Sequence, residues 1–277
     1  MEKIDLPEAK WFTEGDLRLH YLDWGNPKAV PMVIVHGHTC NIHDWDFFAQ
    51  NMRQDYHVVT YDQRGHGDSS WMKSYRREDY VSDLAKLVDN LDLNDIILIG
   101  HSMGGVNAIT YTVEHPGKVA RLVLVDMGPV IPAEAEEDRK KRIAATPEAY
   151  NSEEEAISIM GRLHPYYPKE YIRHVVKHCL KRDDSGRLIY KYDPALHGVE
   201  LGSLDWMWGY LEKIACPTLV IRAAQSLILL PEVARKMVDI LPNGTTIEIE
   251  RAGHFIMGDN PEAFEAAVRQ FLKGYSK

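Results

Sequence analysis

A serine flanked by glycines directly after an apolar segment is the first candidate for chemistry. Residues 95–105 read DIILIGHSMGG, in which Gly100, Ser102 and Gly104 match the pattern G-x-S-x-G. This pattern is typical of a sharp strand-to-helix turn that holds the serine in a strained backbone conformation with its hydroxyl exposed. Side chains at the two glycine positions would collide in such a turn. The pattern therefore predicts that Ser102 is a nucleophile.

A serine nucleophile needs a base, and His254 is the predicted one. It lies in RAGHF, between a predicted strand and the last predicted helix, so a loop at the sheet edge would present it. Ser102, a later acid and then His254 give the chain order of one hydrolase architecture. The sequence has 13 histidines, most of which we expect to be surface or packing residues. The alternative for Ser102, a small residue in a tight turn, is disfavoured by the strand before it and the helix after it.

The segment His36-Gly37-His38-Thr39 is a candidate for stabilising an oxyanion. It follows a predicted strand, and the glycine lets the backbone turn so that the next N–H points into a pocket. The N–H of Met103, one residue past the serine, would be the partner donor. Two such donors stabilise the oxyanion of an acyl-transfer intermediate. The predicted groups at His38 and Met103 are therefore backbone groups.

A metal site in this loop is the alternative interpretation. His36, His38, Cys40 and His43 offer imidazole and thiolate, which are both zinc ligands. Their spacing is not one that a known zinc module uses, and a loop at a strand end explains them without metal. We therefore predict no metal, and the motifs imply no organic cofactor.

Short apolar runs and amphipathic segments predict the elements that position these residues. The predicted strands are 17–24, 30–35, 57–61, 96–99, 122–125, 218–222 and 245–250. The predicted helices are 43–53, 75–91, the segment from Ser102 to the His115-Pro116-Gly117 stop, 231–241 and 261–274. Such alternation is typical of a parallel sheet covered by helices on both faces.

The alternation stops between residues 127 and 212. Residues 132–160 are charged and helical in character, HPYYPK at 164–169 breaks a helix, and a further helix is predicted at 171–181. Strand and helix alternate again from Cys216-Pro217 onward. We therefore predict a discontinuous α/β core, residues 1–127 and 213–277, and a helical lid, residues 128–212.

Composition limits the partners. The chain of 277 residues has 32 Lys and Arg against 41 Asp and Glu, a net charge of −9, which argues against binding nucleic acid or anionic lipid. We see no signal-peptide segment and no apolar run near the ~20 residues of a membrane helix. Three scattered cysteines favour a reducing compartment. We expect a cytoplasmic monomer or homodimer that acts on a small molecule.

Several motifs together resemble the α/β-hydrolase superfamily. In chain order they are HGHTCN at 36–41, DQRGHGDSS at 62–70, GHSMGG at 100–105, LVLVDMGP at 122–129 and AGHF at 252–255. The resemblance implies a mostly parallel sheet with helices on both faces, a lid inserted after strand six and a serine-hydrolase site. It also implies that Asp62 and Arg64 brace a structural loop.

The acid is where this chain departs from the resemblance. Many members place an aspartate in the turn after the strand that here is 218–222, but residues 223–227 read AAQSL. Others place it after strand six, where Asp126 lies. We predict Asp126 as the acid, since a carboxylate fixes the tautomer of the base and stabilises the imidazolium. The alternative is that Asp126 only caps the lid and that Ser226 supports His254 through a weaker hydrogen bond.

The expected reaction is two-step hydrolysis of a carboxylic ester, or a related acyl bond, of a small and largely apolar substrate. Activity should fall at low pH, because a protonated His254 cannot act as a base. Trp206, Tyr166 and Trp208 are the predicted substrate contacts, from a wider set of lid residues that also includes His164, Tyr167 and Met207. The alternative for each is that it buries the lid's own face.

Other functions stay open on this fold. Some members of the superfamily are ligand sensors that keep the triad but turn over slowly. Others are cofactor-free oxygenases or perhydrolases, or hydrolases of carbon–carbon bonds. The last class is expected to carry a basic side chain over the pocket, for which Arg162 and Arg173 are the candidates in the lid.

Overall fold

The computed structural model describes residues 4–199 and 202–275. Its strands are β1 (Ala9–Glu14), β2 (Leu17–Asp23), β3 (Pro31–Val35), β4 (His57–Tyr61), β5 (Ile96–His101), β6 (Val119–Val125), β7 (Leu180–Arg182), β8 (Leu188–Tyr190), β9 (Thr218–Ala223) and β10 (Gly244–Ile249). Its helices are α1 (Asp46–Met52), α2 (Arg77–Asn90), α3 (Met103–Glu114), α4 (Ala133–Ala145), α5 (Glu153–Leu163), α6 (Lys169–Cys179), α7 (Met207–Leu211), α8 (Pro231–Ile240), α9 (Ile256–Asp259) and α10 (Pro261–Leu272).

One mixed sheet organises the molecule. In the described part of the chain its eight strands run in the order β1-β2-β4-β3-β5-β6-β9-β10. In this order, the six strands β4, β3, β5, β6, β9 and β10 pair in parallel with their neighbours. At one edge, β2 pairs antiparallel with β4, and β1 pairs antiparallel with β2. The mostly parallel sheet is therefore confirmed. The sequence does not reveal β1, because most of its side chains are exposed and form no apolar run.

Helices cover both faces of the sheet, as the apolar strands predict. Alternate strand residues point to opposite faces, so that Val33 and Val35 join one buried cluster with α2, α3 and α8. Ile34 joins the other cluster, which includes residues of α1 and α10. Strands buried on both sides read as continuous apolar runs, and this is why the sequence reveals them.

The segment between β6 and β9 has a buried cluster of its own. Tyr150, Met160, Tyr171 and Val175 belong to it, and we call it the cap cluster. The antiparallel pair β7–β8 also lies in this segment, so two short strands accompany the helices that the sequence predicts there. Strands of three residues are too short to show an alternating pattern. Helix α7 lies within the predicted lid range, but it packs into a core cluster through Met207 and Leu211.

The carboxyl ends of the parallel strands meet at one edge of the sheet. Ser102 follows β5, Asp126 follows β6, Ser226 follows β9 and His254 follows β10. In open α/β sheets this edge is where ligands bind. Across the described residues, we find no helix with the length and apolar character needed to cross a membrane.

Candidate active site

Ser102 lies at a strained turn between β5 and α3. Its backbone has φ 53° and ψ −121°, which a residue with a side chain rarely adopts. A Cβ at Gly104 would come within 2.3 Å of the Val35 carbonyl oxygen, and one at Gly100 within 2.5 Å of the Gly104 oxygen. Only glycine fits at both positions, so the pattern seen in the sequence is a packing requirement of the turn.

Asp126 and His254 form a direct contact beside this turn. Nδ1 of His254 lies 2.8 Å from Oδ2 of Asp126, whose side chain is fully buried. The Ala223 backbone N–H donates to the other carboxylate oxygen at 3.1 Å. Asp126 has φ 45°, a conformation that aspartate tolerates better than most residues. The carboxylate is thus held by two strands and fixes the orientation of the imidazole.

Ser226 touches the same carboxylate. Its Oγ donates to Oδ2 of Asp126 at 2.5 Å, and the side chain is buried. Oδ2 therefore accepts from both the serine hydroxyl and the imidazole. Ser226 thus contacts Asp126, the carboxylate that lies against His254, whereas the alternative drawn from the sequence had Ser226 support His254 itself.

His101, which the motif analysis leaves without a role, supports His254 from the other side. Its Nε2 donates to the His254 carbonyl oxygen at 2.8 Å, and the two ring centroids lie 4.6 Å apart. Burial, with the His254 charge adding to it, holds the pKa of His101 well below its usual range. His101 therefore stays a neutral donor. Its position inside G-H-S-M-G is the only signal for it in the sequence.

The loop after β3 lies against the serine. A Cβ at Gly37 would come within 3.2 Å of the Ser102 Cβ, so the backbone of this loop approaches the nucleophile closely. Met103 is the first residue of α3, and its N–H has no acceptor within the helix. The loop is also held from behind, since Gln63 donates to the His36 carbonyl oxygen at 2.7 Å. These contacts bring the loop that carries His38 next to the turn that carries Ser102 and Met103.

A family model decides the classification. The model of the alpha/beta hydrolase family matches residues 32–267. The chain belongs to this family. The match extends from β3 into α10.

A relative named as a hydrolase supports hydrolytic activity for this alpha/beta hydrolase, and two further comparisons show how far the likeness extends. The chain is 30% identical to the 3-hydroxybutyrate-oligomer hydrolase of Cupriavidus necator, over 93% of each protein. It is 26% identical to a non-heme chloroperoxidase of Burkholderia pyrrocinia, over 94% of this chain and 98% of that protein. The crystal structure of E-2-(acetamidomethylene)succinate hydrolase superposes with a TM-score of 0.87 at 23% identity, over 96% of this chain and 99% of that one.

Two residues of the DQRGHGDSS segment brace the hydrolase core. Arg64 makes a bidentate pair with Asp83, with two contacts of 2.6 Å. Asp62 accepts from the Ile42 backbone N–H at 2.9 Å and contacts His20 Nδ1 at 2.7 Å. Both side chains are buried and hydrogen-bonded to other parts of the core, in agreement with the structural role that the resemblance implies.

The loop histidines of the hydrolase do not form the zinc set considered above. Nδ1 of His36 lies 2.7 Å from the Gly37 oxygen, and its Nε2 accepts from Gln63 at 3.0 Å. Cys40 Sγ contacts a backbone oxygen, and His43 turns to Asp46. Burial, with the charges of Arg139 and His197 adding to it, lowers the pKa of His38 to about 4.

The three predicted substrate contacts lie in different environments. Arg77 stacks on Trp206 at 4.0 Å, and Lys236 stacks on Trp208 at 4.0 Å. Both indoles thus pack against helices of the core, while Tyr166 is 42% exposed. These contacts favour packing for the two tryptophans, and their role in substrate binding stays a prediction.

A different aromatic residue of the same insertion is linked to the base through Phe255. The ring of His164 is 5.2 Å from that of Phe255, and the Phe255 ring is 5.4 Å from that of His254. Burial, with the Arg142 charge adding to it, lowers the pKa of His164 to about 3, so this imidazole is neutral. His164 is therefore a better candidate than the tryptophans for the wall of the site.

Proposed function

We propose that this alpha/beta hydrolase cleaves a carboxylic ester through an acyl-serine intermediate. One observation carries the proposal: a fully buried Asp126 carboxylate lies 2.8 Å from Nδ1 of His254, beside the strained turn that presents Ser102. This is the arrangement that turns a serine hydroxyl into a nucleophile, because the acid orients the base and stabilises its charged form.

The proposed reaction has two stages, acylation of Ser102 and hydrolysis of the acyl-serine. His254 takes the proton of Ser102 as the hydroxyl attacks the ester carbonyl, and the N–H groups of His38 and Met103 stabilise the oxyanion. The protonated imidazole then gives its proton to the leaving alcohol. A water molecule attacks the acyl-serine with His254 again as the base, which releases the carboxylic acid and restores the serine.

The proposed substrate is small and largely apolar. Val130 is 41% exposed and Leu227 is 37% exposed, and they follow Asp126 and Ser226 closely in the chain. Ligand-binding clefts are lined mostly by apolar side chains, so these two are candidates for the lining. The similarity to the 3-hydroxybutyrate-oligomer hydrolase makes short hydroxyacid esters the first natural substrates to test.

We further propose that residues 128–212 form the lid of this site, mainly through its portion up to β8. The cap cluster supports this division, since it is separate from the two clusters on the sheet faces. The contact between His164 and Phe255 brings the lid beside the base.

The test is a panel of chromogenic esters of increasing acyl length, together with 3-hydroxybutyrate dimers and trimers. A fluorophosphonate probe reports on the nucleophile. We expect ester turnover and labelling in the wild type, and neither in Ser102→Ala. The conservative Ser226→Ala removes a different serine of the same site and should keep labelling.

Two results would contradict the proposal. Labelling that persists in Ser102→Ala would refute the nucleophile. Negligible ester turnover, with peracid formed from acetate and hydrogen peroxide, would instead favour the perhydrolase alternative, which the similarity to the chloroperoxidase supports.

A further inference from the structure

Four titratable side chains meet where the lid, residues 128–212, contacts the core, outside the Ser102 site. His43 and Asp46 belong to consecutive helical turns after β3, and His174 and His178 belong to α6. We call them the junction cluster. Asp46 has no exposed surface, and His43 is 8% exposed.

The atoms of the junction cluster converge. Nδ1 of His43 and Nε2 of His174 each lie 2.7 Å from the same Asp46 oxygen, Oδ2. These three atoms are all within 4.8 Å of one another. The ring of His178 lies 4.8 Å from that of His43 and 4.5 Å from that of His174. The i,i+4 spacing of His174 and His178 puts both on one face of α6.

The second carboxylate oxygen of Asp46 has no hydrogen-bond donor among the described residues. A buried carboxylate oxygen without a partner is costly and rare in folded proteins. A second group of His and Asp side chains, His20, Asp62 and Asp68, is different, because both oxygens of its buried carboxylate, Asp62, accept hydrogen bonds. Unlike that group, the junction cluster therefore combines metal-ligand residue types with an unused acceptor.

We propose that His43, Asp46 and His174 bind a divalent transition metal ion of the Zn²⁺ type, with the ring of His178 packed against both histidines. Imidazole nitrogen and carboxylate oxygen are both Zn²⁺ ligands, at about 2.0–2.2 Å. Ligand atoms at that distance in a tetrahedron are about 3.3 Å apart, so the nitrogens move from Oδ2 by about half an ångström.

Protons and charge balance in this step. When the metal binds, the nitrogen of each imidazole that contacts Oδ2 becomes the ligand atom, the ring keeps one proton on its other nitrogen, and any second proton is released to solvent. The Asp46 carboxylate supplies one negative charge, and its free oxygen is available as a further ligand atom or as an acceptor for metal-bound water.

The metal would join the core to the lid. His43 lies in the turn before α1, Asp46 is the first residue of α1, and His174 comes from α6. A ligand that binds only the folded state stabilises it by mass action. The proposed role of the metal is structural and is separate from the serine chemistry. A bound metal would differ from the expectation of no metal that we drew from the sequence.

The test uses the full chain, freed of metal with a chelator and titrated with Co²⁺ and with Zn²⁺. We expect one Co²⁺ per chain, with visible d–d absorption of tetrahedral intensity, and a melting temperature that rises with Zn²⁺ concentration. In His174→Gln the amide still donates to Asp46 but is a poor ligand, so the affinity should fall at least about tenfold. Circular dichroism checks that the variant folds.

Two matched variants locate the binding. His115→Gln changes a histidine at the end of α3, and His38→Gln changes the loop after β3. Both should keep the wild-type affinity. The proposal is overturned by the absence of saturable one-to-one binding in the wild type. It is equally overturned by an unchanged affinity in His174→Gln, or by loss of binding in His38→Gln.

Discussion

The hydroxyl of Ser226 lies 2.5 Å from Oδ2 of Asp126, the oxygen that also accepts from His254. The turn after β9 thus reaches the acid although it holds no carboxylate. Ser226 also accepts from the Ile228 backbone N–H at 3.1 Å, so its hydroxyl has a fixed direction. The hydrogen bond from Ser226 to Asp126 therefore holds the acid, which follows β6, from the turn after the neighbouring strand β9.

The two positions should be partly exchangeable. Asp126→Asn should lower kcat about 10³–10⁴-fold, because the amide favours the wrong tautomer of the base. Asp126→Ser should be similarly impaired. The exchange Asp126→Ser with Ser226→Asp should regain at least about tenfold, since a carboxylate at the later turn reaches the space beside Nδ1 of His254.

Steady-state kinetics on the best ester measures this exchange. Ser226→Ala is the control, and we expect it to lose no more than about tenfold, because Ala223 still holds the carboxylate. Equal activity of the double variant and Asp126→Ser would show that an acid at the later turn cannot serve His254.

Position 104 should not tolerate a side chain, because the backbone of β3 lies too close to it. In Gly104→Ala the new Cβ would lie 2.3 Å from the Val35 carbonyl oxygen, a backbone atom that cannot move aside. We expect a loss of at least about 3 kcal/mol in the free energy of unfolding, or no folded protein. Urea denaturation measures it.

Gly161→Ala is the matched control for this substitution. Gly161 lies within α5, and its new Cβ would meet only the Ile172 side chain at 3.5 Å. This change should be neutral or should stabilise by up to about 1 kcal/mol, since alanine favours helix. Equal stabilities of the two variants would contradict the packing argument.

His101 should act as a positioning residue for His254. His101→Phe keeps a ring against the base but removes the donor to the His254 carbonyl oxygen. We expect kcat to fall about tenfold with KM changed less than about twofold, because the base is displaced without loss of substrate contacts. His101→Gln, which restores an N–H donor, should recover part of the loss.

The pH profile separates this role from a second base. The pKa of His101 is held well below its usual range, so His101 does not titrate where a normal imidazole does. The acid limb of the kcat profile should therefore persist in His101→Phe. Its disappearance would mean that His101, and not His254, carries the titrating group.

Asp259 should make stability depend on pH. Burial raises the pKa of this carboxyl to about 6, although the Gly253 backbone N–H donates to it at 2.8 Å. The folded state then binds the proton more tightly than the unfolded chain does. The protonation of Asp259 therefore contributes fully to the free energy of unfolding below about pH 4, and this contribution is lost as the pH rises through about 6.

Asp259→Asn removes this dependence and keeps an acceptor for Gly253. Relative to the wild type, the free energy of unfolding of the variant should rise by about 1–3 kcal/mol between about pH 4.5 and about pH 7.5, because each unit of pKa shift is worth about 1.4 kcal/mol. Denaturation at both pH values measures it, with the exposed Asp16→Asn as control. A constant difference would show that Asp259 ionises as readily in the folded protein as in the unfolded chain.

The sequence by itself determined most of the fold and the identity of the candidate site residues. Strands buried on both faces are continuous apolar runs, and Gly100 and Gly104 are required by a turn whose atoms approach too closely for any side chain. Such signals come from residues that are close together in the sequence, so they can be recognised without the tertiary structure. The strands β1, β7 and β8 were not readable, since exposed or very short strands leave no periodic pattern.

Only the tertiary structure decided how the site residues meet. Ser226 and Asp126 are 100 positions apart, and His101 and His254 are 153 apart, so no local pattern encodes their contacts. The structure also brought α6 to the start of α1 and created the junction cluster from two distant segments. Long-range packing makes these contacts, because each depends on which strand ends and helix faces the sheet order brings together.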